Sequence, residues 1–110
     1  MVGDEYDRYD ALGLAGLIAN GELAPAELIE TAISRIESRD PKLNAVVSTC
    51  FDAARENVSH GPLTGPLAGV PYLVKDLNTL LAGVPTTNGS RAFANAISDT
   101  DGILVSRLYK

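Results

Sequence analysis

Apolar residues recur at helical spacing twice in the first half of the chain. Leu14, Leu17 and Ile18 share one face of a segment opened by Asp10, whose carboxylate suits an N-cap, and stopped by Asn20 and Gly21. A second helix is predicted from Pro25, a favourable first-turn residue with Glu27 beside it. Its stripe is Leu28, Ile29, Ala32, Ile33 and Ile36. Asp40 and Pro41 are expected to end it, because proline pushes the preceding residue out of the helical region. Both helices read as a pair packing apolar stripes on a core, with no chemistry of their own.

The pattern then changes period. Leu43–Cys50 (LNAVVSTC) is a β-branched run of strand length, and Phe51–Asn57 returns to helical composition. Glycine and proline punctuate Ser59–Gly69 as a surface connection. It leads to a second predicted strand, Val70–Val74, with Pro71 near its start and Lys75 at its end. A further loop, AGVPTTNGS, spans Ala82–Ser90, and Arg91–Asn95 has the make-up of a short helix. Asp99, Thr100 or Asp101 can cap a last helix carrying Ile103, Leu104 and Leu108, which reaches Lys110 without a stop signal. Two separated strands against about four helices form a marginal sheet. The expectation is therefore the N-terminal portion of a larger α/β unit, with an apolar edge prone to associate.

Composition narrows the function classes. With 110 residues, 45% hydrophobic and 21% charged, the chain can build one packed domain at most. The net charge of -5, from 14 acids and 9 bases, with no basic cluster, argues against a direct grip on nucleic acid or an anionic membrane. A single cysteine, Cys50, cannot form an internal disulfide, and with one histidine, His60, it falls short of a zinc ligand set. The acidic start lacks the pattern of a signal peptide, so a soluble, cytoplasmic protein is expected. Phosphate-cradling, dinucleotide, zinc-protease and serine-elbow motifs are absent, and no cofactor or metal is expected.

The residue that stands out is Lys75, closing the stretch GPLAGVPYLVKD (Gly65–Asp76). An ammonium beside an apolar run must be paired, solvated or neutral, and a neutral lysine is a base. A solvated Lys75–Asp76 pair at a strand end is the plain alternative. Cys50 and His60 could in principle make a nucleophile and base, yet an apolar-strand cysteine is usually core. The two loops flanking the strand bring the hydroxyls of Thr86, Thr87 and Ser90 close to Lys75 in sequence.

The run GPLAGVPYLVKDL, then AGVPTTNGS, then a D…V-x-R-L pattern at Asp101–Leu108, resembles the N-terminal part of the amidase signature family of serine hydrolases. The two-helix opening ending in Asn-Ala-Val-Val is similar too, so the likeness covers nearly all of residues 10–108. It implies an α/β fold: N-terminal helices plus the first strands of a mixed sheet, incomplete in this chain. It also makes residues 1–110 the N-terminal part of a single amidase domain, with residues 1–9 a polar lead-in. Lys75 takes the place of the lysine of the G-V-P-x-x-x-K-D motif, the catalytic base of a Ser-Ser-Lys triad. Thr86, Thr87 and Ser90 match the family's loop without a catalytic role.

Both triad serines and the oxyanion-hole amides belong to a glycine- and serine-rich segment, and no such segment follows Ser90. The resemblance therefore implies hydrolysis of a small-molecule amide by a parent enzyme, with these residues alone inactive. A homodimer of the full-length protein is compatible with it. Two alternatives stand beside this reading. One is the amidase-like subunit of a tRNA-dependent amidotransferase, whose members usually read K-D-N-I where this chain has Lys75, Asp76, Leu77 and Asn78. The other is a non-catalytic interaction module in which Lys75 is merely a charge.

Overall fold

The computed structural model describes residues 3–60 and 63–109. It divides into two compact units, residues 1–71 and 72–110. The first holds α1 (Gly3–Tyr6), α2 (Ala11–Ala19), α3 (Pro25–Leu43) and α4 (Phe51–Ser59). The second holds a 3-10 turn at Arg91–Phe93 and α5 (Ile103–Leu108). No helix among the described residues is long and apolar enough to cross a membrane.

In the first unit the predicted helix starts and stops come from backbone hydrogen bonding. Asp10 caps α2 by accepting the Gly13 N–H at 2.8 Å. At the other end Gly21 takes φ +74°, its N–H reaching the Ile18 carbonyl at 3.0 Å and the Glu22 N–H reaching Leu17 at 2.9 Å. This paired closure needs a left-handed residue, which glycine provides without strain. α3 starts at Pro25, as its sequence predicts.

The far end of α3 corrects the expectation. The helix passes through Pro41 and ends at Leu43, with Asn44 left-handed at φ 54° and its N–H on the Asp40 carbonyl at 2.7 Å. Pro41 lies within the last turn. The Asp40 carboxylate then takes the N–H groups of Ala45 and Val46 at 2.7 and 3.0 Å, turning the chain away. The predicted strand Leu43–Cys50 is absent. Its first residue belongs to α3, and Val47 is exposed.

Leu14, Leu23 and Leu28 form the core of this unit, with Tyr6, Leu17, Ile18 and Val70 packed against them. Leu28 is fully buried, and Ile29 and Ile33 extend the same face of α3. α3 packs on α4, across which Arg55 binds both Glu30 oxygens at 2.6 and 3.0 Å and Asp52 at 3.2 Å. That guanidinium holds the Glu30 carboxyl below its ordinary range. Arg35 of α3 pairs with Asp7, and its guanidinium stacks 4.8 Å from the Tyr6 ring centre, fixing the polar lead-in to the helix.

The second unit has no strand of its own among the described residues. A single antiparallel bridge joins Pro85 and Ile97, flanked by the Thr86 N–H on Ala96 at 3.1 Å and the Gly83 N–H on Ser98 at 2.9 Å. Among the described residues the expected first strands of a mixed sheet are therefore absent, and the structure is mostly helical. Val70–Val74 carries no ladder: Pro71 offers no N–H, and no described strand lies alongside. α5 also departs from expectation. Its N-cap is Gly102, without a side-chain cap, because the Asp101 carboxylate accepts the Ala82 N–H at 2.8 Å instead. Val105 is its buried residue, while Ile103, Leu104 and Leu108 are exposed. Large apolar residues are exposed on α2, α3, α5 and the loops, not along a sheet edge.

Gly69 sits at φ +79°, and a Cβ there would lie 3.1 to 3.2 Å from Ile18, Leu63 and Pro25. Gly69→Ala should thus lose roughly 1–3 kcal/mol of stability through strain and crowding together. Leu28→Ala should lose about 2–5 kcal/mol by opening a cavity. Urea denaturation of each variant checks both, and an unchanged midpoint for either would contradict the packing described.

Candidate active site

Lys75 is exposed and makes no hydrogen bond or ion pair among the described residues. Its neighbour Asp76 is fully engaged. One carboxylate oxygen accepts the Thr87 N–H at 2.6 Å, and the other accepts the Thr87 hydroxyl. Charge-assisted bonds of this kind contribute about 1.5–3 kcal/mol each. Two residues further on, the Asn78 N–H donates to Asn88 Oδ1 at 2.9 Å. Asn78 and Asn88 are both left-handed, at φ 55° and 52°, a conformation asparagine tolerates better than most residues.

The hydroxyls that sequence placed near the lysine serve the loop scaffold. Thr86 is buried and donates to the Thr79 carbonyl at 3.2 Å. Thr87 donates to Asp76 and accepts the Gly89 N–H at 3.3 Å. Ser90 caps the 3-10 turn by accepting the Ala92 N–H at 3.3 Å. Cys50 and His60 are not brought together: they flank α4 at its two ends, about 15 Å apart at 1.5 Å per residue. The His60 ring lies against the Glu56 carbonyl at 3.0 Å.

A model of the amidase family matches residues 27–110. This chain belongs to the amidase family. It is 36% identical to an acylamidase of Rhodococcus erythropolis over 109 residues, 89% of this chain and 22% of that protein. It is 39% identical over 107 residues to a glutamyl-tRNA(Gln) amidotransferase subunit from Salinispora tropica, covering 91% of this chain and 22% of the relative. A 6-aminohexanoate-cyclic-dimer hydrolase of Pseudomonas sp. (strain NK87) is 34% identical over 101 residues, 90% of this chain and 20% of the relative. The chain thus spans about a fifth of the length of these curated relatives.

The amidase match takes in Lys75, Asp76 and the whole of the loop that Asp76 holds. Sequence reasoning found the lysine and the loop but missed the link between them. The only visible signal was the acid directly after Lys75, and nothing in the spacing said that it would reach Thr87, eleven positions on. The Asp101 tie to Ala82 was equally hidden, because an aspartate just before a helix looks like a cap.

Near this loop system, Tyr72 packs edge-on to Tyr109 with ring centres 6.3 Å apart. Burial pushes the Tyr72 phenol up to about 12, with Tyr109 and then the Asp101 charge adding to the shift. The folded state favours the neutral phenol. The stability that this contributes is present below about pH 10 and is lost as pH rises toward 12. Ultraviolet titration of tyrosinate should therefore show one late-titrating tyrosine, and Tyr109→Phe should bring its midpoint down. Four tyrosines titrating together with those of the unfolded chain would refute this packing.

Proposed function

We propose that the whole protein hydrolyses a carbon–nitrogen amide bond to an acid and ammonia or an amine, and that Lys75 is its base. The observation that carries the reading is Lys75 itself. It is a lysine in a G-V-P-x-x-x-K-D stretch within the family match, uncommitted, beside a loop whose own hydroxyls are all engaged. Amide hydrolysis belongs to the family; the lysine's part in it is our assignment.

In this mechanism neutral Lys75 accepts a proton, through a bridging serine, from a nucleophilic serine. That serine attacks the amide carbonyl, the amine leaves with a proton returned from the lysine, and water then releases the acid from the acyl-enzyme. Both serines and the donors that stabilise the oxyanion lie outside these 110 residues. Thr86, Thr87 and Ser90 do not replace them, since each is tied into the scaffold. The substrate is a small-molecule amide, the chemistry named for the acylamidase and the cyclic-dimer hydrolase. The protein works in the cytoplasm, in line with its single cysteine.

A second reading is favoured by the 39% identity to the amidotransferase relative, in which the same hydrolysis would release ammonia for transfer. Lys75-Asp76-Leu77-Asn78 departs from the K-D-N-I usual in that branch and supports the general amidase.

Lys75→Ala in the whole protein should lower kcat/KM for amide hydrolysis by about 10²–10⁴-fold. Purified residues 1–110 should release no ammonia or amine from any amide. Near-wild-type turnover by the alanine variant, or robust turnover by these residues alone, would sink the assignment. Release of ammonia from glutamine only, with other amides untouched, would select the amidotransferase reading.

A further inference from the structure

We propose that Asp76 is a positioning residue for Lys75, fixing the lysine's backbone to the Ala82–Ser90 loop through Thr87. The proposal rests on the reading of Lys75 as the base. A general base must sit at hydrogen-bond distance, about 2.6–3.2 Å, from its proton donor, and a lysine on four flexible carbons depends on where its backbone is held. No sheet ladder holds it here, because Val70–Val74 pairs with nothing among the described residues.

The attachment that exists is made next door. Both Asp76 oxygens converge on one residue, taking the Thr87 N–H at 2.6 Å and the Thr87 hydroxyl. Each of the two Thr87 donors meets its own carboxylate oxygen, so the contact is bidentate and fixes orientation as well as distance. A second tie, from the Asn78 N–H to Asn88 Oδ1 at 2.9 Å, fixes the segment at two points and stops it pivoting about a single bond.

The receiving end is itself rigid. The Thr87 carbonyl accepts the Ser90 N–H at 2.9 Å, and its hydroxyl accepts the Gly89 N–H at 3.3 Å. Thr86, directly before it, is buried and bonded to Thr79 and Ala96. The position of Lys75 is thereby passed through Asp76 and Thr87 to a buried anchor. Thr87, matched in sequence only as a bystander of the lysine, becomes the residue that receives the clamp.

The test uses the whole protein with an amide substrate that the wild type turns over. Asp76→Ala should lower kcat about 100-fold and Thr87→Val about tenfold, each with KM within about twofold of wild type. Thr87→Ser, which keeps the hydroxyl, should recover most of the loss. The double variant should fall no further than Asp76→Ala, because both changes remove one tie. Thr87→Val keeps the shape of the residue and decides the matter where Asp76→Ala does not fold. If Lys75→Ala is inactive while folded Thr87→Val keeps wild-type kcat, the positioning role is overturned and the base assignment stands. If Lys75→Ala stays active, the base assignment falls first, and the positioning role falls with it.

Discussion

A backbone N–H needs an acceptor, and where the described residues form no strand ladder a side chain can supply one. Here aspartates supply it. Asp10 takes the Gly13 N–H, Asp40 those of Ala45 and Val46, Asp76 that of Thr87, and Asp101 that of Ala82. Each closes a different kind of connection: a helix start, a helix exit, a lysine-bearing segment on its neighbouring loop, and the approach to α5. The acidity that composition reads as solubility is thus partly structural.

Side-chain acceptors and sheet ladders position a residue differently. A ladder fixes a run of residues through repeated bonds, whereas a carboxylate fixes one point and leaves the rest of the segment to its own preferences. Lys75 lies one residue from such a point, which is why its backbone is held while its side chain stays exposed and uncommitted. The base role proposed for Lys75 would need both properties. The buried Thr86 gives this arrangement a foundation inside the second unit.

The first unit rests on packing. Leu28 at full burial, with Leu14 and Leu23, ties α2 to α3, and the Leu63–Val70 stretch can lie close only because Gly69 carries no side chain. The ionic contacts of Arg35 and Arg55 decorate that frame and set which faces of α3 meet α1 and α4.

Much of the helical framework was legible from sequence. Asp10, the Asn20–Gly21 stop, Pro25 and the Leu28–Ile29–Ile33 stripe act over one or two turns, and local chemistry acts before any tertiary contact forms. The lysine motif and the family were legible for the same reason, as contiguous residues. Apart from the α3 stop at Asp40–Pro41, which the helix runs past, what failed were judgements that need a partner. Leu43–Cys50 and Val70–Val74 have strand composition, yet a strand exists only against another. Asp101 could cap α5, yet Ala82 offered a competing N–H. The sequence by itself determined α2 with its cap and stop, the start and buried stripe of α3, and the lysine motif. Only the tertiary structure decided that no described strand pairs with the lysine's segment and that Asp76 closes on Thr87, because both outcomes depend on residues many positions away competing for the same backbone groups.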